Sequence, residues 1–312
     1  MNLMLPLSVF SKLQMYMTLL WIMFLSGCQN TEEKEIVIIS TNDIHGRIEQ
    51  FSKLATFVKR IKEEHPNVIL VDAGDRFTGN PYVDHAKEKG FPIISLMNDL
   101  GYEVGTLGNH EFDFGQKILR ARINDATFPI ICANINSSRG ELDSIPPYHI
   151  IEKDGIKLGF ISFVQTETDQ IPSTNPERLK DITFDHYLDK VEDYKPLKRQ
   201  CDVLIGLTHL GVDKDSILAT QMPDIIIGGH THTLLETSKE INNVIIGQTG
   251  LKLQYAGLTI LKFTKGKLTE RSYQSCLIDT ITRVDSCITR KVNYFMEQPE
   301  FKEVIGISSL PF

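Results

Sequence analysis

The sequence predicts an α/β fold on a mostly parallel sheet, joined by a second, more antiparallel sheet. Two patterns carry this. Short β-branched runs alternate with helical patterns through much of the chain, the layout of a parallel sheet with crossover helices. Toward the C-terminal end the alternation gives way to strands, including a hairpin. No repeat, low-complexity run or internal linker interrupts the pattern.

The elements follow in order. EIVIIST (35–41) reads as a buried strand. FSKLATFVKRIKEEH (51–65) places Leu54, Phe57, Val58 and Ile61 at helical spacing. NVILVDAGD (67–75) is strand, and PIISLMNDLG (92–101) a helix with a glycine stop. YEVGTLGNH (102–110) runs from strand into loop, GQKILRARIND (115–125) is helix, and FPIICAN (128–134) strand. Residues 148–164 read as a hairpin turned on Asp154-Gly155. A helix over 184–200 leads to strands at 201–211, 223–232 and 243–250. A second hairpin, 256–279, turns on Lys265-Gly266, and 290–301 forms a short closing helix.

The 312 residues suit one large α/β domain, and 41% hydrophobic content is that of a globular chain. A formal charge of −7 and a pI near 5.7 supply no field for a nucleic-acid backbone, so no nucleic-acid polymer is expected as partner. Residues 1–27 stand apart. They carry no Asp or Glu, one Lys (Lys12) and the apolar run Leu13–Leu25, too short for a comfortable membrane span and ending in small residues. This reads as an export signal, and LSGC resembles the lipobox of bacterial lipoproteins. The resemblance implies cleavage before Cys28 and a lipid anchor on it, in a bacterial envelope; an uncleaved apolar anchor is the alternative. Residues 28–34 would be a polar tether.

Of the remaining cysteines, Cys132 and Cys201 sit in or beside apolar runs and are expected to be buried. No C-x-x-C spacing occurs, which argues against a thiolate zinc site. Export would permit a Cys276–Cys287 bridge without requiring one.

Five strand-like runs end alike, in polar residues beside glycine. The first ends in Asp43 and His45, the second in Asp72 and Asp75, the third in Asn109, His110 and Asp113. The fourth ends in His209 and the fifth in His230 and His232. Ligands of open α/β sheets collect beyond the carboxyl ends of strands, so these clusters should converge. Asp, His and Asn without thiolate suit zinc, manganese, iron or cobalt. His65, His85, His149 and His186 sit among charges and read as solvated surface residues.

In order, D-x-H-G, G-D, G-N-H-E-x-D, T-H-L-G and G-G-H-T-H resemble the calcineurin-like metallophosphoesterases. Within these the chain is most similar to the 5′-nucleotidase group, which includes UDP-sugar hydrolases and 2′,3′-cyclic phosphodiesterases. The likeness runs from Ile36 to about Lys265, with STNDIHGRIE and GNHEFDFG its most specific parts. It implies a four-layer α/β/β/α sandwich of two mixed sheets flanked by helices. The catalytic domain would span 35–279, and 280–312 would be a helical extension beginning a linker to a substrate domain absent from the chain.

It also implies two divalent metal ions sharing Asp75. Asp43, His45, Asp75 and His232 would hold one; Asp75, Asn109, His209 and His230 the other. Some members carry Gln where His232 stands, which bears on metal preference rather than reaction type. His110 and Asp113, three residues apart, can meet as a dyad. The family assigns them to transition-state stabilisation or leaving-group protonation, while Asp113 as a simple cap of the next helix is the plainer alternative. Glu111 is left without a task at the metals, as a supporting or surface residue. The implied substrate is a nucleotide phosphomonoester or other small phosphate ester, hydrolysed outside the cytoplasm. Cyclic-nucleotide or UDP-sugar diester hydrolysis is the alternative within the class, and a non-catalytic nucleotide-binding lipoprotein the alternative outside it. Base recognition would then be weak, or come from a separately encoded substrate domain.

Overall fold

Alternate side chains of the first strand, β1 (Glu33–Thr41), face two different cores. Ile36 and Ile38 point one way, Val37 and Ile39 the other, and all four are fully buried. A strand apolar on both faces must lie inside a layered stack. This computed structural model describes residues 33–302. The signal, Cys28, nearly all of the tether and the end of the extension lie outside the described residues.

β1 is followed by helix α1 (Phe51–Glu64), β2 (Val68–Asp72), the single turn α2 (Pro81–Asp84), α3 (Phe91–Leu100), β3 (Val104–Thr106), α4 (Gln116–Asp125) and β4 (Ile130–Ile131). β1 to β4 pair in parallel, in the registers Val37↔Val68, Val71↔Val104 and Gly105↔Ile130. β5 (Ile135–Asn136) then leads to the hairpin β6 (Tyr148–Lys153) and β7 (Ile156–Ile161). β8 (Thr183–Phe184) pairs with β5 in a small separate ribbon. After α5 (Tyr187–Tyr194) come β9 (Val203–Leu207), α6 (Val212–Leu218), β10 (Ile225–Ile227), β11 (Lys239–Ile241) and β12 (Val244–Gly247). β7, β9, β10 and β12 form the parallel centre of the second sheet, and β6 and β11 are its antiparallel edges.

The late hairpin, β13 (Tyr255–Thr264) and β14 (Lys267–Leu277), joins the first sheet beside β1, not the second. Both sheets are therefore mixed, each with a parallel centre, as the family resemblance implies; the expectation of a second, more antiparallel sheet is corrected only in that antiparallel pairing is shared between the two. Hairpin geometry fixes how two strands pair with each other, not which sheet they join. Apolar faces decide that: Leu261 and Phe263 of β13 enter the core between the sheets.

That central core sets Ile36, Ile38, Ile69, Val71 and Val104 against Leu158, Phe160, Val203, Ile205 and Ile225. A second core lies between the first sheet and helices α1, α3 and α4, and a third between the second sheet, α5 and α6. The order is helix, sheet, sheet, helix. The closing helix starts earlier than its sequence pattern suggests. α7 (Ser286–Met296) is capped by Asp285, whose side chain accepts from Cys287 N and Ile288 N at 2.9 Å each. It packs on α1 and α3 through Ile288, Val292 and Phe295. Pro299 starts a separate short turn beyond it. Among the described residues no helix is long and apolar enough to cross a membrane.

Cys132 is buried, as expected, while Cys201 is only half-buried. Cys276 and Cys287 are both free thiols. Phe160, fully buried between the sheets, should be intolerant of truncation. Phe160→Ala is expected to lose about 3–5 kcal/mol in denaturant unfolding, and Tyr294→Ala, at 63% exposure, less than about 0.5 kcal/mol.

Candidate metal centre

The strands β1, β2, β3, β9 and β10 run parallel within their sheets, so each sheet's loops leave from one edge. The loops beyond their carboxyl ends bring together Asp43, His45, Asp75, Asn109, His209, His230 and His232, drawn from 190 residues of chain. Five of these seven hold a left-handed backbone: Asp43, His45, Asp75, His230 and His232 have φ between 47° and 87°. Non-glycine residues enter this region only where surrounding contacts impose it, at about 1–3 kcal/mol each.

Two donor groups result. In the first, ligand atoms of Asp43, His45 and His232 all lie within 4.8 Å of one another. His45 Nδ1 is 3.1 Å from Thr78 O, where it can only donate. In the neutral ring Nε2 then carries the lone pair, and it faces His232 Nε2 at 3.2 Å. Two such nitrogens need a proton or a cation between them. Asp43 is fixed from behind. His230 N donates to both its oxygens, at 3.2 and 3.0 Å, and Asn42 Nδ2 donates to Oδ2 at 2.6 Å.

The second group is Asp75, His209 and His230, again within 4.8 Å. His209 Nδ1 donates to Ala73 O at 2.7 Å, which aims Nε2 inward. Nε2 is buried, 3.0 Å from Asp75 Oδ2 but off the line of a hydrogen bond, and 3.9 Å from Asp43 Oδ1. Asn109 completes this side. Its Nδ2 donates to Ser173 O at 3.0 Å, which turns Oδ1 toward His230 Nδ1 at 3.1 Å. Backbone crowding is severe: a Cβ on Gly108 would sit 2.2 Å from Asp75 Oδ1, so only glycine fits.

The charges match a cation site. Burial opposes a charge on His209, but Asp75 and Asp43 overcome it and push its pKa up to about 10. Burial acts on Asp75 the other way, yet His209 and His110 hold it below the usual carboxylate range. Burial and the neighbouring His209 lower His230 to about 4, so its ring is neutral and free to coordinate. An all-nitrogen-and-oxygen donor set with an unpartnered, buried imidazole nitrogen fits divalent zinc, manganese, iron or cobalt.

Residues 36–234 match the family model for calcineurin-like phosphoesterases. The chain belongs to the calcineurin-like phosphoesterase family. It is 29% identical over 306 residues to the 5′-nucleotidase of Rattus norvegicus, covering 83% of this chain and 52% of the rat protein. It superposes on a 5′-nucleotidase precursor from Thermus thermophilus with TM-score 0.75 at 24% identity, covering 84% of this chain and 58% of that one. A calcineurin-like phosphoesterase structure from Bacillus subtilis matches with TM-score 0.73 at 26% identity, over 85% of this chain and 97% of that one. The chain thus spans about half the length of the rat protein.

In this phosphoesterase chain His110 and Asp113 meet. His110 Nδ1 lies 2.7 Å from Asp113 Oδ2, at the two ends of a 3-10 turn. Asp113 also accepts from Thr78 Oγ1 at 3.0 Å and Thr174 Oγ1 at 2.9 Å. Its carboxylate is therefore committed to His110 and two hydroxyls. Chiefly through this hydrogen bond, Asp113 raises His110 to about 9. His110 stands beside the first donor group, with its ring centroid 5.2 Å from that of His45.

Of the layer behind the candidate ligands, sequence reasoning named only Glu111, as a supporting or surface residue, and missed Arg76 and Asn42; the structure makes Glu111 a buried support. Glu111 is fully buried, and its carboxylate accepts from three backbone amides: Asp75 N at 2.9 Å, Arg76 N at 2.8 Å and Gly108 N at 2.5 Å. Arg76, also fully buried, donates from Nε and Nη2 to Asp72 Oδ1 at 3.0 and 2.8 Å, and from Nη2 to Thr106 O. Nη1 lies 3.7 Å from Glu111 Oε1. Asn42 holds Asp43 and also accepts from Thr249 N at 2.8 Å. The available signal was position: Asn42 and Glu111 are polar residues directly beside Asp43 and His110. His65 and His149 are half-buried and His85 and His186 exposed, and none is in either donor group.

Asp215 in α6 braces the turn carrying His209 by accepting from Thr208 Oγ1 at 2.6 Å. Full burial lifts its carboxyl from 3.8 to about 7. Folding therefore favours the neutral acid, and that contribution is present at low pH and lost as pH rises through 7. Asp215→Asn stays neutral throughout. In the metal-free protein its stability relative to the parent should rise by roughly 2–3 kcal/mol between pH 5 and pH 8 in denaturant titrations; a flat difference would contradict the assignment.

Proposed function

We propose that this chain hydrolyses phosphate esters with two divalent metal ions, and that nucleotide phosphomonoesters are its substrates. The observation that carries the reading is the pair of donor groups, Asp43-His45-His232 and Asp75-His209-His230, with His209 Nε2 only 3.9 Å from Asp43 Oδ1. Asp75 would be shared between two ions, and Asn109 would join the second group. When bound, such ions supply positive charge to the phosphoryl oxygens and acidify water near neutral pH.

The chain's own residues do the rest. His110 lies outside both donor groups, and its Nδ1 is occupied by Asp113. Its Nε2 is the nitrogen left to face a substrate. Held protonated by Asp113, it offers a proton or a charge-assisted hydrogen bond to the oxygen that gains charge as the ester bond breaks. Thr78 and Thr174 keep Asp113, and through it the ring, in one orientation. Similarity to 5′-nucleotidases favours nucleotides over other esters. The apolar leader ending in LSGC supports activity outside the cytoplasm, with the chain held by lipid on Cys28.

The purified chain with Mn²⁺ or Zn²⁺ should release phosphate from nucleoside 5′-monophosphates faster than it opens cyclic nucleotides or UDP-glucose. EDTA should abolish the activity. Binding of nucleotide without turnover would instead support a non-catalytic role. His110→Ala should lower kcat by about 10²–10⁴ while the bound metal, measured by elemental analysis, is unchanged; full kcat in the metal-loaded variant would remove His110 from the reaction. Asp75→Ala should lose both ions, and retention of two tightly held ions would refute sharing.

A further inference from the structure

We propose that Glu111 is a positioning residue that sets the metal affinity of the centre, acting through the backbone of Asp75. This rests on the two-metal reading above. The geometry is specific. The three amides that converge on Glu111 come from two loops, the one carrying Asp75 and the one leading into Asn109. The carboxylate is the joint between these loops. The Asp75 side chain then crosses back: its Oδ1 accepts from His110 N at 2.9 Å. The two loops are thereby closed on each other from both sides, and Asp75, in its left-handed conformation at φ 54°, has its backbone pinned at the amide nitrogen.

Glu111 itself touches no candidate ligand atom in these hydrogen bonds; it meets only main-chain nitrogens and, at 3.7 Å, Arg76. Its effect must pass through where Asp75 is held. The requirement is for a carboxylate, not just for size. Asp75 N and Gly108 N share Oε2, and Arg76 N takes Oε1. Glutamine has one acceptor and one donor. Whichever way its amide is turned, an NH₂ group faces at least one backbone N–H. The strain falls on the turn that places Asp75 and Asn109. Asp72 provides the contrast. It holds the same Arg76 through Oδ1, which also accepts from Gly74 N at 3.2 Å, but takes no amide of Asp75, Arg76 or Gly108 and does not reach the second loop's backbone. Asparagine there keeps one oxygen for both Arg76 and Gly74 N.

The test is calorimetric titration of metal-free parent, Glu111→Gln and Asp72→Asn with Mn²⁺, together with their thermal unfolding with and without Mn²⁺. The parent should bind two ions. Glu111→Gln should remain folded but bind at least one ion about 10–100-fold more weakly, with a smaller metal-induced rise in Tm. Asp72→Asn should bind within about threefold of the parent. Affinity in Glu111→Gln equal to the parent's overturns the assignment. So does an equal loss in Asp72→Asn, which would make the effect one of general core damage. A Glu111→Gln chain that cannot fold even with excess Mn²⁺ also overturns it, because the carboxylate would then hold the fold and not the centre. A parent that binds no pair of ions fails differently: it removes the two-metal reading itself.

Discussion

A buried carboxylate that joins two loops is the constraint on which the candidate centre depends. Glu111 gathers the amides of Asp75, Arg76 and Gly108 in the interior. Each amide would otherwise be an unpaired donor away from water, at about 1–3 kcal/mol apiece. An acid buried alone would be more costly still. The three donors and the adjacent Arg76 offset that cost, and Arg76 is in turn held by Asp72 and Thr106. The three amides held by one carboxylate fix the loops after β2 and β3 to each other.

That rigidity accounts for how strained residues persist at the centre. Five candidate ligands occupy left-handed backbone, each at some energetic cost. The return comes from contacts that leave the backbone no alternative. Asp43 N donates to Gly74 O at 3.0 Å and His45 N to Asp75 O at 3.0 Å, lacing the first loop to the second. His230 N closes on Asp43, and Gly108 admits Asp75 with no side chain between. The interior of the two-sheet stack supplies the stability that such a site spends.

Electrostatics give the centre a defined resting state. Without a cation, His209 carries a proton against Asp75 and Asp43. His230 is lowered to about 4 by burial and by the neighbouring charged His209, and its ring stays neutral. Were a divalent ion held by His209, its Nε2 would have to give up that proton, and metal uptake would be proton-coupled. His110 is held protonated by Asp113 and lies outside both donor groups.

The sequence alone determined the parts that depend on local pattern. Leu54, Phe57, Val58 and Ile61 announce α1 by spacing, Asp154-Gly155 and Lys265-Gly266 announce their turns, and all three appear where expected. Polar residues at five strand ends pointed to one converging metal-binding region, because parallel strands deliver their carboxyl ends to a common edge, and the family resemblance sorted the candidate ligands among them. The tertiary structure decided what depends on partners distant in the chain. The sheet that β13 and β14 join follows from which core takes Leu261 and Phe263, not from the turn between them. Glu111 reads in sequence as either a supporting or a surface residue beside His110. Its burial and its three amides arise only when the loop after β2, some 35 residues earlier, folds over it. Hydrogen-bond satisfaction in the interior is a property of the assembled loops, and no local spacing records it.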